Sequence, residues 1–460
     1  EIAGDILSVC QNKEIREKYE NIAYEYVSQN YSYSNIQNRM FEILKEISSK
    51  TNVIHIPRRF TKSHWGGTEN VVVSIANGLK NYGIKSKVIT SNILSDKKEE
   101  VINSIKVKRF SYFYPYFNLT NKNKNSLDLV GGNLFSWSLF YYLFFVKDVD
   151  LIHLHTAKRM GSIARTICRL RNIPYIVTIH GGLYDINQNE AINRMEPTKN
   201  SFEWGKVLGL IFGSRRVYDD AHSIITLNKN EYESTKENYP DKNVYLLSNS
   251  VNIQQFQIQK DETFREKHNI KKEKFVFLSS ARIDKQKNQI LILESFLELK
   301  KKNENIHLLL VGNITDMTYF EEIKTFISSN KLEDSITIIT NLKPNSSELI
   351  NTYLNSNAFV LASTHEPFGI VALEAWASKL PLIISSVCGI CNVIENEKTA
   401  MVFESESRIS LKEKMNRVLL DSKLKNRLIS NASLEVLNYD ESLINETLSK
   451  IYNKSINSKK

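Results

Sequence analysis

Residues 358–385 read AFVLASTHEPFGIVALEAWASKLPLIIS. The stretch opens on a short apolar run, Ala358–Ala362, and closes on another, Leu382–Ser385. Each has the length and composition of a buried strand. Between them a loop leads through Pro367, suited to a first helical position, into a helix that carries Glu374 about two turns along. Strand, loop, helix and strand in that order form a βαβ unit, which joins parallel strands by a crossover helix. Working backward, the same alternation starts at FVFLSS (275–280), continues through a helix from about Gln289 to Lys302, and returns to strands at IHLLLVG (306–312) and Ser335–Thr340.

An earlier half repeats the pattern. Strands are predicted at VIHI (53–56), Ser86–Thr90, Leu151–His155, Tyr175–Ile179 and Ser223–Leu227, and helices at 157–170 and 203–218. A further helix follows Gly66 and Gly67, with Val72, Ile75, Ala76 and Leu79 at helical spacing. The polar, aperiodic segment beginning NSVNIQQFQIQ at Asn249 separates the halves and puts a boundary near residue 254. The fold class is therefore α/β, with two Rossmann-like, doubly wound domains facing across a cleft and extra helices at both termini. The expected units are a helical segment 1–50, domains 51–253 and 254–435, and a terminal helix 436–460 packing back on the first domain. In such sheets ligands bind beyond the carboxyl ends of the strands, so the loops there are the candidate sites.

Composition agrees with a globular protein. Of 460 residues, 42% are hydrophobic and 24% charged, which excludes collagen-like, coiled-coil and wholly disordered chains. The net charge of +10 favours anionic partners such as phosphates or an acidic membrane surface. Neither an aromatic RNA-binding motif nor a tight basic helix is present, which disfavours nucleic acid. Four cysteines, Cys10, Cys168, Cys388 and Cys391, are too few for a disulfide scaffold and suit a cytoplasmic location. The longest apolar run, LFSWSLFYYLFFV (134–146), falls short of the ~20 residues that span a bilayer and is expected to be a buried helix rather than a membrane-surface contact. The chain starts on Glu1, and residues 7–47 resemble 416–456, with Ala23 and Val27 matching Ala432 and Val436. Residues 1–50 thus read as the tail of an upstream domain of the same kind.

Four strand-end loops carry chemistry. In the first, Glu366 and Glu374 flank backbone amides at Phe368, Gly369 and Ile370, a helix N-terminus suited to phosphate beside carboxylates suited to sugar or ribose hydroxyls. In the second, Arg282 and Lys287 follow the strand 275–280, a fork and a point charge able to neutralise a diphosphate. In the third, His180 precedes Gly181 and Gly182. In the fourth, Gly66 and Gly67 precede a helix and would expose bare N–H groups.

Together these residues resemble the family 4, group 1 glycosyltransferases of the GT-B fold. The likeness spans 52–456 and rests on Gly66–Gly67, His180, the Arg282/Lys287 pair and the E-x7-E element from Glu366 to Glu374, with NSVNIQQF (249–256) similar to the family's domain-joining segment. It implies transfer of a sugar from a nucleotide-diphosphate donor to a hydroxyl of a glycan or lipid-linked acceptor, with retention and without a metal or other cofactor. Arg282 and Lys287 would grip the diphosphate, Glu374 the ribose, and Glu366 with the backbone at Phe368, Gly369 and Ile370 the sugar. His180 would approach that sugar from the other domain, Gly66 and Gly67 would let the first domain close, and Leu342 would contact the base. Catalytic weight would fall on His180, Glu366, Arg282 and Lys287.

The sequence departs from the family at Asn341 and Ala400, where glycines are usual, and at Cys388–Gly389 and Asn392 in place of a Gly-Gly pair and a Glu. Cys388-x-x-Cys391 matches that glycine loop rather than a redox or zinc motif, and Asp148-Val149-Asp150 precedes a strand and reads as a turn. Heavy Lys, Asn and Ile usage fits an AT-rich bacterial genome. Bacterial surface polysaccharide or lipopolysaccharide synthesis is then expected, at a cytoplasmic or membrane-peripheral location, with an upstream tandem transferase domain as a further partner. Two alternatives share parts of the pattern: another GT-B enzyme such as a sugar phosphorylase or nucleotide-sugar epimerase, and a non-catalytic glycan-binding homologue.

Overall fold

A computed structural model describes residues 51–181, 196–199 and 201–458, with single positions between Asn12 and Met40. The tandem-tail reading of 1–50 lies, apart from those positions, outside the described residues, as does Gly182. Two sheets organise the chain. The first has eight strands in the order Asn243–Leu246, Ser223–Thr226, Tyr175–Ile179, Leu151–Leu154, Thr51–Ile56, Ile84–Ser91, Ile105–Phe110 and Glu99–Ile102. All neighbours are parallel except the last pair. The second has six parallel strands in the order Ile336–Ile339, Ile306–Val311, Phe275–Ser280, Ala358–Leu361, Leu382–Ser385 and Met401–Phe403. Central strands such as Leu151–Leu154 and Leu382–Ser385 are buried along their whole length, which is why they are nearly uninterrupted Ile, Leu and Val.

Each sheet reverses direction of growth at one point. In the first, the strand Thr51–Ile56 lies between Ile84–Ser91 and Leu151–Leu154. In the second, Phe275–Ser280 lies between Ile306–Val311 and Ala358–Leu361. Such switch points open a crevice at the carboxyl ends. The loops that leave Ser280 and Leu361, which carry Arg282, Lys287 and Glu366, therefore flank the crevice of the second sheet.

The chain crosses between the sheets twice, side by side. Val251 donates its N–H to Tyr439 and accepts from the Glu441 amide, 2.9 and 3.0 Å. Beyond that crossing the helix Glu441–Asn457 inserts Leu448, Ile451 and Tyr452 among Val53, Leu79, Leu151 and Ile176 of the first sheet's layer.

Two expected elements differ. The helix expected over 203–218 is reduced to Lys206–Ile211, preceded by a short strand Phe202–Glu203. Gly213 takes the left-handed conformation (φ 62°) and ends it. The aromatic run forms a helix at Trp137–Phe145, capped by the Ser136 hydroxyl on the Leu139 amide at 3.1 Å. It is not a buried helix: only Leu139 and Leu143 are enclosed, while Trp137, Tyr141, Phe144 and Phe145 are exposed. The residues at helical spacing that face the core already cover the neighbouring layer, and among the described residues the opposite face stays exposed.

Candidate functional site

The loop after Ser280 is built by its own caps. Asp284 accepts the Lys287 amide at 3.1 Å and starts the short turn Lys285–Lys287. Gln286 then ties this loop to the neighbouring one: its side-chain amide donates to the His365 carbonyl at 2.9 Å and its carbonyl accepts the Thr364 amide at 2.9 Å. These ties deliver Lys287 Nζ to Glu366 Oε2 at 2.5 Å, with the two side chains only 12% and 16% exposed. Arg282 reaches Asp284 at 3.1 Å and stays more open.

The Glu366–Gly369 turn is clamped from behind. Gly389 donates to the Glu366 carbonyl at 2.8 Å and Ile390 to that of Phe368 at 3.0 Å. A β-carbon on Gly389 would lie 1.9 Å from the Pro367 carbonyl oxygen, so this glycine is required by close approach. Phe368 turns into the core, where it is 3% exposed. Gly369 is left-handed (φ 104°), so the helix begins at Ile370 rather than at Pro367 as the proline suggested. That helix, Ile370–Ala377, carries Glu374 inward, where its carboxylate accepts the Tyr353 hydroxyl at 2.5 Å. Burial raises the Glu374 pKa above the usual 4.5, opposed by that hydrogen bond. Tyr353 is itself fully buried and stacks on Phe359.

The first domain meets this turn directly. Asn228 caps the helix Lys229–Asn238 and donates its side-chain amide to the Pro367 carbonyl at 3.1 Å. His180 leaves the strand Tyr175–Ile179, and Gly181 beside it is left-handed (φ 96°), its α-carbon so close that a β-carbon would sit 2.3 Å from that of Pro367. Burial lowers the His180 pKa to about 4, so the ring is neutral at ordinary pH.

Gly181, next to His180, thus meets the Pro367 turn that follows the Lys287–Glu366 pair, with Arg282 on the adjoining loop and Glu374 one layer deeper. Leu342 is half-buried and packs on the core that contains Phe368 and Tyr353. Asn341 beside it has φ 63°, a conformation that asparagine tolerates better than most side chains, which explains how it replaces glycine. Gly66 and Gly67 are different. Gly66 is the N-cap of Gly67–Gly78, and its N–H is taken by the buried carboxylate of Glu69, which also pairs with Arg59 at 3.4 Å. Among the described residues no hydrogen bond joins these glycines to the loops at 282–287 or 366–374.

The discounted motifs have structural roles. Cys388 and Cys391 are free thiols, and burial pushes Cys388 well up and Cys391 to about 11, so neither is a thiolate. Asp150 accepts the Asn52 amide at 2.7 Å at the amino end of the sheet, away from the crevice, and Asp148 sits in a left-handed turn. Sequence reasoning missed Asn228 and Tyr353. Asn228 had a signal, an Asn immediately before a helical stretch at a strand end. Tyr353 had none, since its partner lies 21 residues away across the fold.

Two parallel α/β domains that meet at the carboxyl ends of their sheets, with a Lys, an Arg and two carboxylates at the switch point, define a GT-B protein. The glycosyltransferase family 4 profile matches residues 65–255, and that of glycosyl transferases group 1 matches 260–435. A capsular polysaccharide biosynthesis glycosyltransferase, CapM of Staphylococcus aureus, is 27% identical over 50% of this chain and 58% of its own length. The alpha-monoglucosyldiacylglycerol synthase of Acholeplasma laidlawii is 22% identical over 75% of this chain and 82% of its own. Among solved structures, Anabaena HepE in complex with UDP and glucose superposes with a TM-score of 0.64 at 13% identity, covering 88% of this chain and all of that one. The chain belongs to the family 4, group 1 glycosyltransferases.

Proposed function

We propose that this transferase moves a sugar, with retention, from a nucleotide-diphosphate donor bound at the second domain's switch point to a hydroxyl of a glycan or lipid-linked acceptor on the first. The observation that carries the reading is the contact of Gly181, next to His180, and of Asn228 with the Pro367 turn, which follows the Lys287–Glu366 pair. Lys287 and Arg282 take the donor diphosphate and, with the amides at Phe368–Ile370, stabilise the charge that develops on the leaving group, without a metal. Glu374 holds the ribose hydroxyls. Glu366 and His180 hold hydroxyls of the transferred sugar from opposite sides. Leu342 lies against the base. Gly66 and Gly67 act at closure, when the first helix approaches donor and acceptor. HepE supports the donor class, since it is known with UDP and glucose.

The acceptor enters from a lipid surface. No helix among the described residues is long and apolar enough to cross a membrane. One face of the first domain nevertheless exposes Trp137, Tyr141, Phe144 and Phe145 on one helix and Val207, Leu210 and Ile211 on another. Phe212 bridges the two helices, 5.6 Å from Phe140 and 6.0 Å from Trp137 between ring centroids. Exposed Lys206, Arg215 and Arg216 border this face and match an anionic headgroup layer. The relatives in capsule and glycolipid synthesis point to bacterial surface polysaccharide or glycolipid assembly, at a cytoplasmic membrane face. The test is a panel of UDP-, GDP- and ADP-sugars with a mixed acceptor extract, scored for free nucleoside diphosphate. One donor is expected to turn over, and Arg282→Ala and Glu374→Ala to abolish it. Sugar phosphate formed from glycan and inorganic phosphate, or donor interconversion without acceptor, would assign a phosphorylase or an epimerase instead.

A further inference from the structure

Two more imidazoles stand in line behind His180. His55 lies in the strand Thr51–Ile56, and His155 directly follows its neighbour Leu151–Leu154, on either side of the first sheet's switch point. His180 Nε2 lies 2.8 Å from His155 Nδ1. His155 Nε2 lies 3.1 Å from His55 Nδ1, and His55 Nε2 lies 3.2 Å from Ser86 Oγ. His153 is outside the row. Its nitrogens are taken by the Tyr452 and Thr178 hydroxyls, each at 2.6 Å, and its ring walls His155 with centroids 4.1 Å apart.

A neutral imidazole has one donor nitrogen and one acceptor nitrogen. His55 and His155 each use both nitrogens within the row, so every contact is a hydrogen bond only when all three rings hold the same tautomer. Any mixed arrangement sets two N–H groups, or two lone pairs, against each other at about 3 Å in the core, where an unmade bond is costly. Burial keeps the rings neutral, lowering His55 to about 3 and His155 well below its usual value. His180 Nδ1, at the crevice end, has no partner among the described residues. The tautomer chosen by the row therefore decides whether His180 offers the crevice a donor or an acceptor.

We propose that His155 and His55 are positioning residues that hold His180 as the Nε2–H tautomer, through an imidazole row ending on the Ser86 hydroxyl, so that His180 Nδ1 accepts a hydrogen bond from a hydroxyl of the transferred sugar. The Nε2–H form is the intrinsically favoured neutral tautomer, and adopting it three times outweighs the reversed row, in which Ser86 would have to be the donor. The inference rests on the reading of His180 as a sugar-binding residue, and goes further by fixing its polarity and naming the residues that set it.

The 460-residue chain, labelled with 15N in its histidine rings, tests this at neutral pH. Resonances assigned by single substitutions are expected to show a protonated Nε2 and a bare Nδ1 for His55, His155 and His180 alike. Mixed tautomers, or protonated Nδ1 throughout, would overturn the proposal. So would about one equivalent of zinc retained after dialysis, since His55, His153 and His155 are close enough to chelate and a metal would take the lone pairs the row needs.

Two variants separate positioning from packing. In His155→Asn the amide replaces Nδ1 and keeps the contact with His180; in His155→Gln it replaces Nε2 and keeps only the contact with His55. With the donor that turns over, His155→Asn should retain kcat within about threefold, while His155→Gln should lose about tenfold with the donor KM unchanged, the worth of one hydrogen bond. Equal effects of the two variants, with melting temperatures like wild type, contradict the proposal. If His180→Ala keeps full kcat, the reading of His180 itself has failed; if His180→Ala is inactive and His155→Gln is not, only the row has failed.

Discussion

Tyr353→Phe removes one oxygen from a buried ring that keeps its stacking on Phe359. That oxygen donates to Glu374 at 2.5 Å, the hydrogen bond by which the protein orients this carboxylate. A hydrogen bond to a charged group contributes about 1.5–3 kcal/mol. For a domain of this size that corresponds to a melting temperature lower by roughly 3–12 °C. If Glu374 also binds ribose hydroxyls, its loss of orientation should weaken the nucleoside diphosphate product about tenfold, about 1.4 kcal/mol. The pH dependence carries a sign. Burial raises the folded-state pKa of Glu374 above its usual 4.5, so keeping it ionised at neutral pH opposes folding, and that cost is relieved as pH falls through the raised value. Binding runs the other way, since protonation removes the acceptor that the ribose needs. Calorimetric titration with UDP, GDP and ADP from pH 7.5 down to pH 4.5 should show affinity falling with acid, at a midpoint above 4.5. The midpoint should move higher in Tyr353→Phe, because the bond that opposed the shift is gone. Unchanged affinity and an unchanged midpoint in a folded Tyr353→Phe protein would refute the role given to Glu374.

Three further outcomes are expected. Lys287→Ala leaves Glu366 mostly buried and unpaired, and should cost stability near the low end of about 3–5 kcal/mol in urea unfolding; the double variant Lys287→Met, Glu366→Gln should recover most of that without recovering turnover. Gly389→Ala forces a β-carbon against the Pro367 carbonyl and should cost about 1–3 kcal/mol, with donor turnover falling further than the melting temperature implies. Replacing Phe145 and Leu210 by serine should abolish cosedimentation with anionic vesicles while leaving the melting temperature unchanged, since both side chains are exposed.

Much of this architecture can be read from runs such as Leu382–Ser385 and Ile306–Val311, because strands buried on both faces must be continuously apolar. The strands of the two large sheets not anticipated are Glu99–Ile102, Ile105–Phe110, Asn243–Leu246 and the short Met401–Phe403. Glu99–Ile102 opens on two glutamates, and in Ile105–Phe110 Lys106 and Lys108 alternate with apolar residues, so the apolar signal is diluted. The aromatic helix Trp137–Phe145 misleads for the opposite reason: an element apolar on all sides reads as enclosed, yet here one side is left open. At the site, strand-end loops and charge spacing single out His180, Arg282, Lys287, Glu366 and Glu374. The ties that bring them to one place, Gln286 to His365, Gly389 to Glu366 and Asn228 to Pro367, are tertiary and leave no spacing to count. The capture of the Gly66 amide by Glu69 is local, a carboxylate three residues into a helix, and could have been recognised as a cap.

The central claim is that both sides of the Pro367 contact act on one donor. Single-turnover transfer of radiolabelled sugar from the nucleotide sugar that turns over, compared in wild type, Lys287→Ala and His180→Ala, tests it most directly. Loss of transfer in both variants, with nucleoside diphosphate affinity lowered in Lys287→Ala and unchanged in His180→Ala, is the expected result. Undiminished transfer in either folded variant would contradict it.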